Sequence, residues 1–219
     1  MPTFSNPRQI LLLVLDVDGV LTDGSIWLGQ DGYEMKRFHV RDGLGIKTWM
    51  KLGYHVAVIS GRKSAAVQRR MDELGVTMVY LGIKNKAQAL GDVMDRTGLS
   101  LSQIAHIGDD WPDIPVMRRV GYPIAVADAE GIVRRGAAYV TKRAGGQGAV
   151  REAIDHLLLA KGTTEDAQLE ASTDGTEIFS PPPPPPPTSP TSPPSPPSPS
   201  STTSTIFPAD DGPRLVPER

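Results

Sequence analysis

The feature that most constrains this chain is a short apolar run that ends in acid. Residues 10–15 read Ile-Leu-Leu-Leu-Val-Leu, and Asp16-Val17-Asp18-Gly19 follows at once. An unbroken apolar run of this length reads as a parallel strand covered on both faces. It is too short for a membrane span or the core of a signal sequence. Two carboxylates directly beyond a buried strand are costly unless something offsets their charge. In an extended chain, residues two apart face the same side. Asp16 and Asp18 therefore point together into one cavity, while Val17 packs away from it. Gly19 lets the chain leave the strand sharply. One carboxylate of such a pair can act as nucleophile and the other as general acid/base. A divalent cation or a phosphate pocket would offset the charge.

The stretch from residue 9 to about 160 alternates strand-like and helix-like patterns. Strands are expected over 55–59, 77–81, 104–107 and 123–126, with a short edge strand at 139–140. Helices are expected over 42–52, 63–74, 84–97, 114–120 and 148–160, several of them stopped by a glycine such as Gly53, Gly75 or Gly98. Residues 25–28 and 33–38 flank Asp31-Gly32, a pair suited to a tight turn, and predict a protruding β-hairpin. Alternation with short links implies an α/β fold of three layers, a Rossmann-like parallel sheet with helices on both faces. Ligands in such folds bind beyond the carboxyl ends of the strands.

Composition divides the chain. Of its 21 prolines, Pro2, Pro7, Pro112, Pro115 and Pro123 precede residue 180, and the other 16 lie in the last 40 positions. Residues 1–162 form the expected domain, and 163–219 the expected disordered Pro/Ser/Thr-rich tail. Seven consecutive prolines at 181–187 predict polyproline II, roughly 20 Å long at about 3.1 Å per residue. That tract suits an aromatic-lined module, but an unengaged tail is the preferred reading, and its partner is left open. A net charge of -2 argues against a nucleic-acid binder, which would carry a basic stripe. The absence of cysteine excludes disulfides and thiolate metal sites and fits a cytoplasmic protein.

Three further positions join the aspartate pair. Ser60-Gly61-Arg62 places a hydroxyl and a glycine amide at a strand end, beside a helix N-terminus, where a phosphoryl oxygen is well received. Lys86, at a helix start, can neutralise phosphoryl charge and Asp16. Gly108-Asp109-Asp110, with Asp113 three residues on, supplies the hard oxygen ligands that suit Mg²⁺. Each element has an ordinary structural reading. A lone Asp-x-Asp is usually a turn, Ser60 a helix cap, Lys84 or Lys86 surface charge, Arg62 and Arg70 solvated helix charges. Asp110 and Asp113 read better as a cap and a hydrogen-bonder than as metal ligands. His106, between apolar residues, reads as a satisfied core histidine. The four elements in this order make the catalytic reading the stronger one.

That order resembles the haloacid dehalogenase superfamily. Arg41-Asp42-Gly43, Ser60-Gly61-Arg62-Lys63 and residues 144–152, Ala-Gly-Gly-Gln-Gly-Ala-Val-Arg-Glu, narrow the resemblance to its 3-deoxy-D-manno-octulosonate 8-phosphate (KDO 8-phosphate) phosphatase family, over roughly residues 8–162. The resemblance implies a nucleophile at Asp16 and a general acid/base at Asp18. It implies Mg²⁺ held by the carboxylates of Asp16 and Asp109 and the main-chain carbonyl of Asp18. Ser60, Gly61 and Lys86 would bind phosphate, and Arg62, Arg70 and the 145–148 loop would approach the sugar. It implies no separate cap domain and a homotetramer in which each hairpin covers a neighbour's site. Trp111-Pro112 departs from the family pattern, as does the long tail. A phosphatase of a nine-carbon keto sugar acid phosphate is the enzymatic rival. A non-catalytic scaffold working through its polyproline tail is the rival from another class, and the joint presence of Asp16, Asp18, Ser60, Lys86 and Asp109 speaks against it.

Overall fold

The acid-ended run forms the central strand. In a computed structural model, which describes residues 4–173, β1 (Leu12–Leu15) is buried at every position. It lies between β4 (His55–Ser60) and β6 (Ile104–Gly108), parallel to both. β5 (Met78–Leu81) flanks β4, while β7 (Tyr122–Ala125) and then β8 (Tyr139–Val140) follow β6. The six strands run in the order β5-β4-β1-β6-β7-β8, all parallel. The chain leaves β1 for one side of the sheet and later returns to the other. The ends of β1, β4 and β6 therefore open onto a topological switch point.

Alternation along β1 builds the two cores. Leu13 and Leu15 join one apolar cluster, Leu12 and Val14 the other. The first is covered by α1 (Val40–Lys51), α2 (Ala65–Leu74) and α6 (Ala149–Lys161), with Val133 of α5 (Gly131–Gly136). The second is covered by α3 (Lys86–Thr97) and by Val116 of α4 (Ile114–Met117). Ile46 and Trp49 of α1 and Ile154 and Leu157 of α6 are fully buried. Each such side chain contributes roughly 1.5–3 kcal/mol. The Trp49 indole donates to the His55 carbonyl at 3.0 Å, so its polar edge is satisfied.

Caps set the starts of the helices that face the site. Ser64 caps α2 by accepting from the Val67 amide, and Asn85 caps α3 by accepting from the Gln88 amide. The Asn85 cap fixes Lys86 as the first residue of α3. The expected hairpin is present as β2 (Trp27–Leu28) and β3 (Glu34–Met35), closed by a turn with Gly32 at φ +73°. Two α-helices escaped the sequence reading, α5 and α7 (Glu165–Thr173). α7 lies beyond residue 162 and packs on α1. The expected polyproline tract and the Ser/Thr/Pro tail lie outside the described residues. No helix among the described residues is long and apolar enough to cross a membrane.

Candidate active site

Asp16 is the first residue beyond β1, and its amide still donates to the Ile107 carbonyl of β6. That bond holds the residue in sheet geometry and presents its carboxylate at the switch point, 8% exposed. Beyond it the chain winds around one acceptor. The Val17 carbonyl receives the amides of Val20 and Thr22 and the Thr22 hydroxyl. This winding brings Gly19, at φ +92°, against Asp109. A Cβ at Gly19 would collide with the Asp109 carboxylate. The loop at Gly145 braces the turn from outside. A Cβ at Gly145 would run into the Gly19 carbonyl, and the Gly146 amide donates to the Val20 carbonyl at 3.0 Å.

One lysine joins the acidic groups. Lys86 Nζ lies 2.8 Å from Asp16 Oδ1 and 2.8 Å from Asp113 Oδ1. Lys84 is exposed, so the structure places Lys86, not Lys84, against Asp16. Asp113 is fully buried and accepts on both oxygens. Oδ1 takes Lys86 and His106 Nε2 at 3.0 Å, and Oδ2 takes the amides of Asp109 at 3.0 Å and Asp110 at 3.4 Å. Carboxylate oxygens of Asp16, Asp109 and Asp113 lie within 4.8 Å of one another. Asp113 is committed to its four donors, as its reading as a hydrogen-bonder anticipated. Asp109 is different, because its Oδ1 is buried without a partner among the described residues.

Electrostatics mark the same division. Burial pushes the Asp109 carboxyl up from 3.8 to about 8, reinforced by the charges of Asp16 and Asp113. Burial also raises Asp16, with Asp113 adding to the shift and Lys86 opposing it. At Asp113 burial is outweighed by the His106 hydrogen bond and the Lys86 charge, and its carboxyl falls well below the usual range. Three carboxylates thus face one lysine, and the uncompensated one is Asp109. Such a donor set suits a hard divalent cation, which takes oxygen ligands and brings the missing charge. The residues present fit a metal.

The remaining expected residues take distinct places. Asp18 is half-buried and ion-paired to Lys36, whose side chain is fully buried. Lys36 follows β3 and also meets Glu34 at 3.4 Å, and Arg62 meets Glu34 at 3.1 Å. These contacts tie the hairpin to the site. Lys36 was missed in the sequence, although Glu34 and Lys36 stand two apart and so share a strand face. Ser60 ends β4, buried, and accepts from the Arg62 amide at 3.2 Å. The cap of α2 is Ser64 rather than Ser60, because the chain runs through Gly61-Arg62-Lys63 before the helix begins. A Cβ at Gly61 would meet the Ile83 carbonyl only at ordinary contact distance, 3.9 Å. Arg70 pairs with Glu73 on its own helix and rests its guanidinium against Gly43 of α1. Asp110 caps the turn at Trp111, whose indole is two-thirds exposed.

A family model for haloacid dehalogenase-like hydrolases matches residues 79–154, the stretch that carries Lys86, Asp109 and Asp113. The 3-deoxy-D-manno-octulosonate 8-phosphate phosphatase of Escherichia coli K12 is 47% identical over 161 residues, covering 74% of this chain and 86% of that protein. The chain belongs to the 3-deoxy-D-manno-octulosonate 8-phosphate phosphatase family. Two solved members of this phosphatase family share its fold and were captured with ligands. One, from Moraxella catarrhalis, is in complex with magnesium ion, phosphate ion and KDO. It superposes with a TM-score of 0.70 at 39% identity, over 72% of this chain and 90% of that one. The other is the cobalt-bound form from Haemophilus influenzae, with a TM-score of 0.72 at 40% identity, over 75% of this chain and 99% of that one.

Proposed function

We propose that this phosphatase-family chain hydrolyses 3-deoxy-D-manno-octulosonate 8-phosphate to KDO and inorganic phosphate through an aspartyl-phosphate. The observation that carries the chemistry is the Asp16–Lys86–Asp113 ion-pair chain beside the unpartnered Asp109 carboxylate. Asp16 attacks phosphorus as the bond to the sugar oxygen breaks, and Asp18 gives that oxygen a proton. In the second half water attacks phosphorus, Asp18 takes its proton, and the bond to Asp16 breaks to release phosphate. Lys86 offsets charge on Asp16 and on the phosphoryl oxygens throughout, and Ser60 with Gly61 receives one of those oxygens. Mg²⁺, held by the Asp16 and Asp109 carboxylates and the Asp18 carbonyl, would supply positive charge to the transferring group. Arg62, tied to the hairpin through Glu34, and Arg70 contact the sugar.

The hairpin supports a homotetramer reading. Trp27, Leu28, Tyr33 and Met35 are more than half exposed on it, an apolar patch that a neighbouring subunit would cover. Light scattering on the full chain tests this, and a monomer would end it. The substrate is tested with purified protein, Mg²⁺ and a panel of sugar phosphates. Turnover is expected to favour the eight-carbon keto sugar acid phosphate and to vanish with chelator. Equal turnover of the nine-carbon analogue would overturn the narrow assignment.

A further inference from the structure

His106 occupies a position where an apolar residue would fold more cheaply. It sits inside β6, 0% exposed, between Val14 of β1 and Pro123 of β7 in the sheet register. It shares a strand face with Ile104, which belongs to the apolar cluster under α3. Burying an imidazole here carries a desolvation cost that a leucine would not. The structure does not recover that cost in full, because Nδ1 is buried with no partner among the described residues. Among the described residues, the one polar contact of the ring is Nε2 on Asp113 Oδ1 at 3.0 Å. A carboxylate accepts and does not donate, so Nε2 is the donor in this contact. The same Oδ1 holds Lys86 against Asp16, while Oδ2 holds the amides of Asp109 and Asp110.

We propose that His106 is a positioning residue of the phosphoryl-transfer site, acting through Asp113 to fix both Lys86 and the backbone of Asp109. Asp113 meets Lys86 and His106 on one oxygen and two backbone amides on the other, and His106 is the donor that enters from the sheet. Without it the carboxylate keeps its backbone and lysine contacts but can swing toward the strand. Lys86 and the Asp109 amide would follow that swing. The inference rests on the proposed reaction centre and adds a residue that touches neither substrate nor metal.

The test uses the full chain with two substrates, the sugar phosphate and p-nitrophenyl phosphate. In His106→Leu, kcat is expected to fall about tenfold to a hundredfold on both, as displacement of a catalytic group by about an ångström does. Its melting temperature should stay level or rise, since the unpartnered Nδ1 is gone. His106→Gln, whose amide N–H can reach Asp113, should restore kcat to within about threefold of wild type. A purely structural histidine gives the opposite pattern, a lower melting temperature with kcat intact, and that result would overturn the proposal. If the leucine variant fails to fold, His106→Asn decides. It is polar but too short to reach Asp113, and a kcat equal to that of the glutamine variant would refute the positioning role. Failure on the sugar phosphate alone, with the generic ester still showing the pattern, would strike the substrate reading and leave this one standing. If neither ester turns over, ¹⁵N-imidazole NMR reads the contact directly. The His106 Nε2–H signal must move in Asp113→Asn, and an unmoved signal overturns the inference.

Discussion

Gly19 and Asp109 occupy adjoining space across the mouth of the sheet, so close that a methyl group on Gly19 would collide with the Asp109 carboxylate. The turn after β1 and the end of β6 are thereby one object. Gly19 also sits at φ +92°, where a side chain is strained. Gly19→Ala should therefore cost about 1–2 kcal/mol for the backbone. It should also push Asp109 from its place and weaken metal binding. Calorimetry with Mg²⁺ and a thermal melt check the two effects. A variant that binds metal as wild type does would show that Asp109 has room to move.

Asp16→Asn should abolish turnover while leaving the fold intact. The amide cannot attack phosphorus, yet it fills the same volume. One of three clustered carboxylates is also removed, so the burial and repulsion that raise the Asp16 pKa disappear. The melting temperature of the metal-free variant should equal or exceed that of wild type. Residual activity, read with a generic phosphate ester, would falsify Asp16 as the nucleophile.

Lys86→Met should lose both activity and stability. The ammonium, 5% exposed, is the shared partner of Asp16 and Asp113. Removing one partner from a buried ion pair costs about 3–5 kcal/mol, because the other charge stays buried. Denaturant unfolding checks the magnitude. A double variant with Asp16→Asn should be less destabilised than the sum of the singles, since both changes act on one pair. Strict additivity would mean that the two residues are not coupled.

Much of this site was legible in the sequence because it sits where apolar runs stop. Asp16, Ser60 and Asp109 each mark the end of a buried strand, and Lys86 the start of a helix. What escaped was set by folding rather than by local pattern. α5 is six residues long, begins and ends on a glycine, and has Val133 as its one buried residue, so it shows no helical period. His106 looks like core filling until the turn at Trp111 carries Asp113 back to it. Lys36 alternates with exposed Met35, a signal that was present, but its partner Asp18 stands 18 residues away across a hairpin.

That hairpin contact leads to a further expectation. Lys36 pairs with Asp18 and Glu34 from a fully buried side chain. Lys36→Met should release the hairpin from the site and leave Asp18 without its partner. Two partly exposed pairs, Arg62 to Glu34 and Arg37 to Asp23, still hold the hairpin after this change and are correspondingly weak. kcat/KM for the sugar phosphate should fall about tenfold or more, with a smaller loss for p-nitrophenyl phosphate, whose leaving group needs little protonation. Equal losses on the two substrates would show that Lys36 does not act through Asp18.

Metal binding should strengthen with pH, and the sign follows from Asp109. Its carboxyl is raised from 3.8 to about 8 in the folded, metal-free chain, first by burial and then by Asp16 and Asp113. Between about pH 4 and pH 8 the unfolded chain has this group ionised while the folded chain keeps it protonated. The folded state therefore binds more protons, and its metal-free stability falls as pH rises through that window. Asp113 runs the other way, since its carboxyl is depressed, but its contribution is lost only below the ordinary carboxylate range. A divalent cation must displace the Asp109 proton, so its affinity rises as that proton is lost. The rise in melting temperature produced by a fixed Mg²⁺ concentration should be larger at pH 8 than at pH 5.5. Titration calorimetry in buffers of different ionisation enthalpy should show proton release on binding near pH 6.5. A Mg²⁺-induced shift that is flat with pH, or larger at pH 5.5, would mean that Asp109 is already ionised before the metal arrives and that another group balances the cluster.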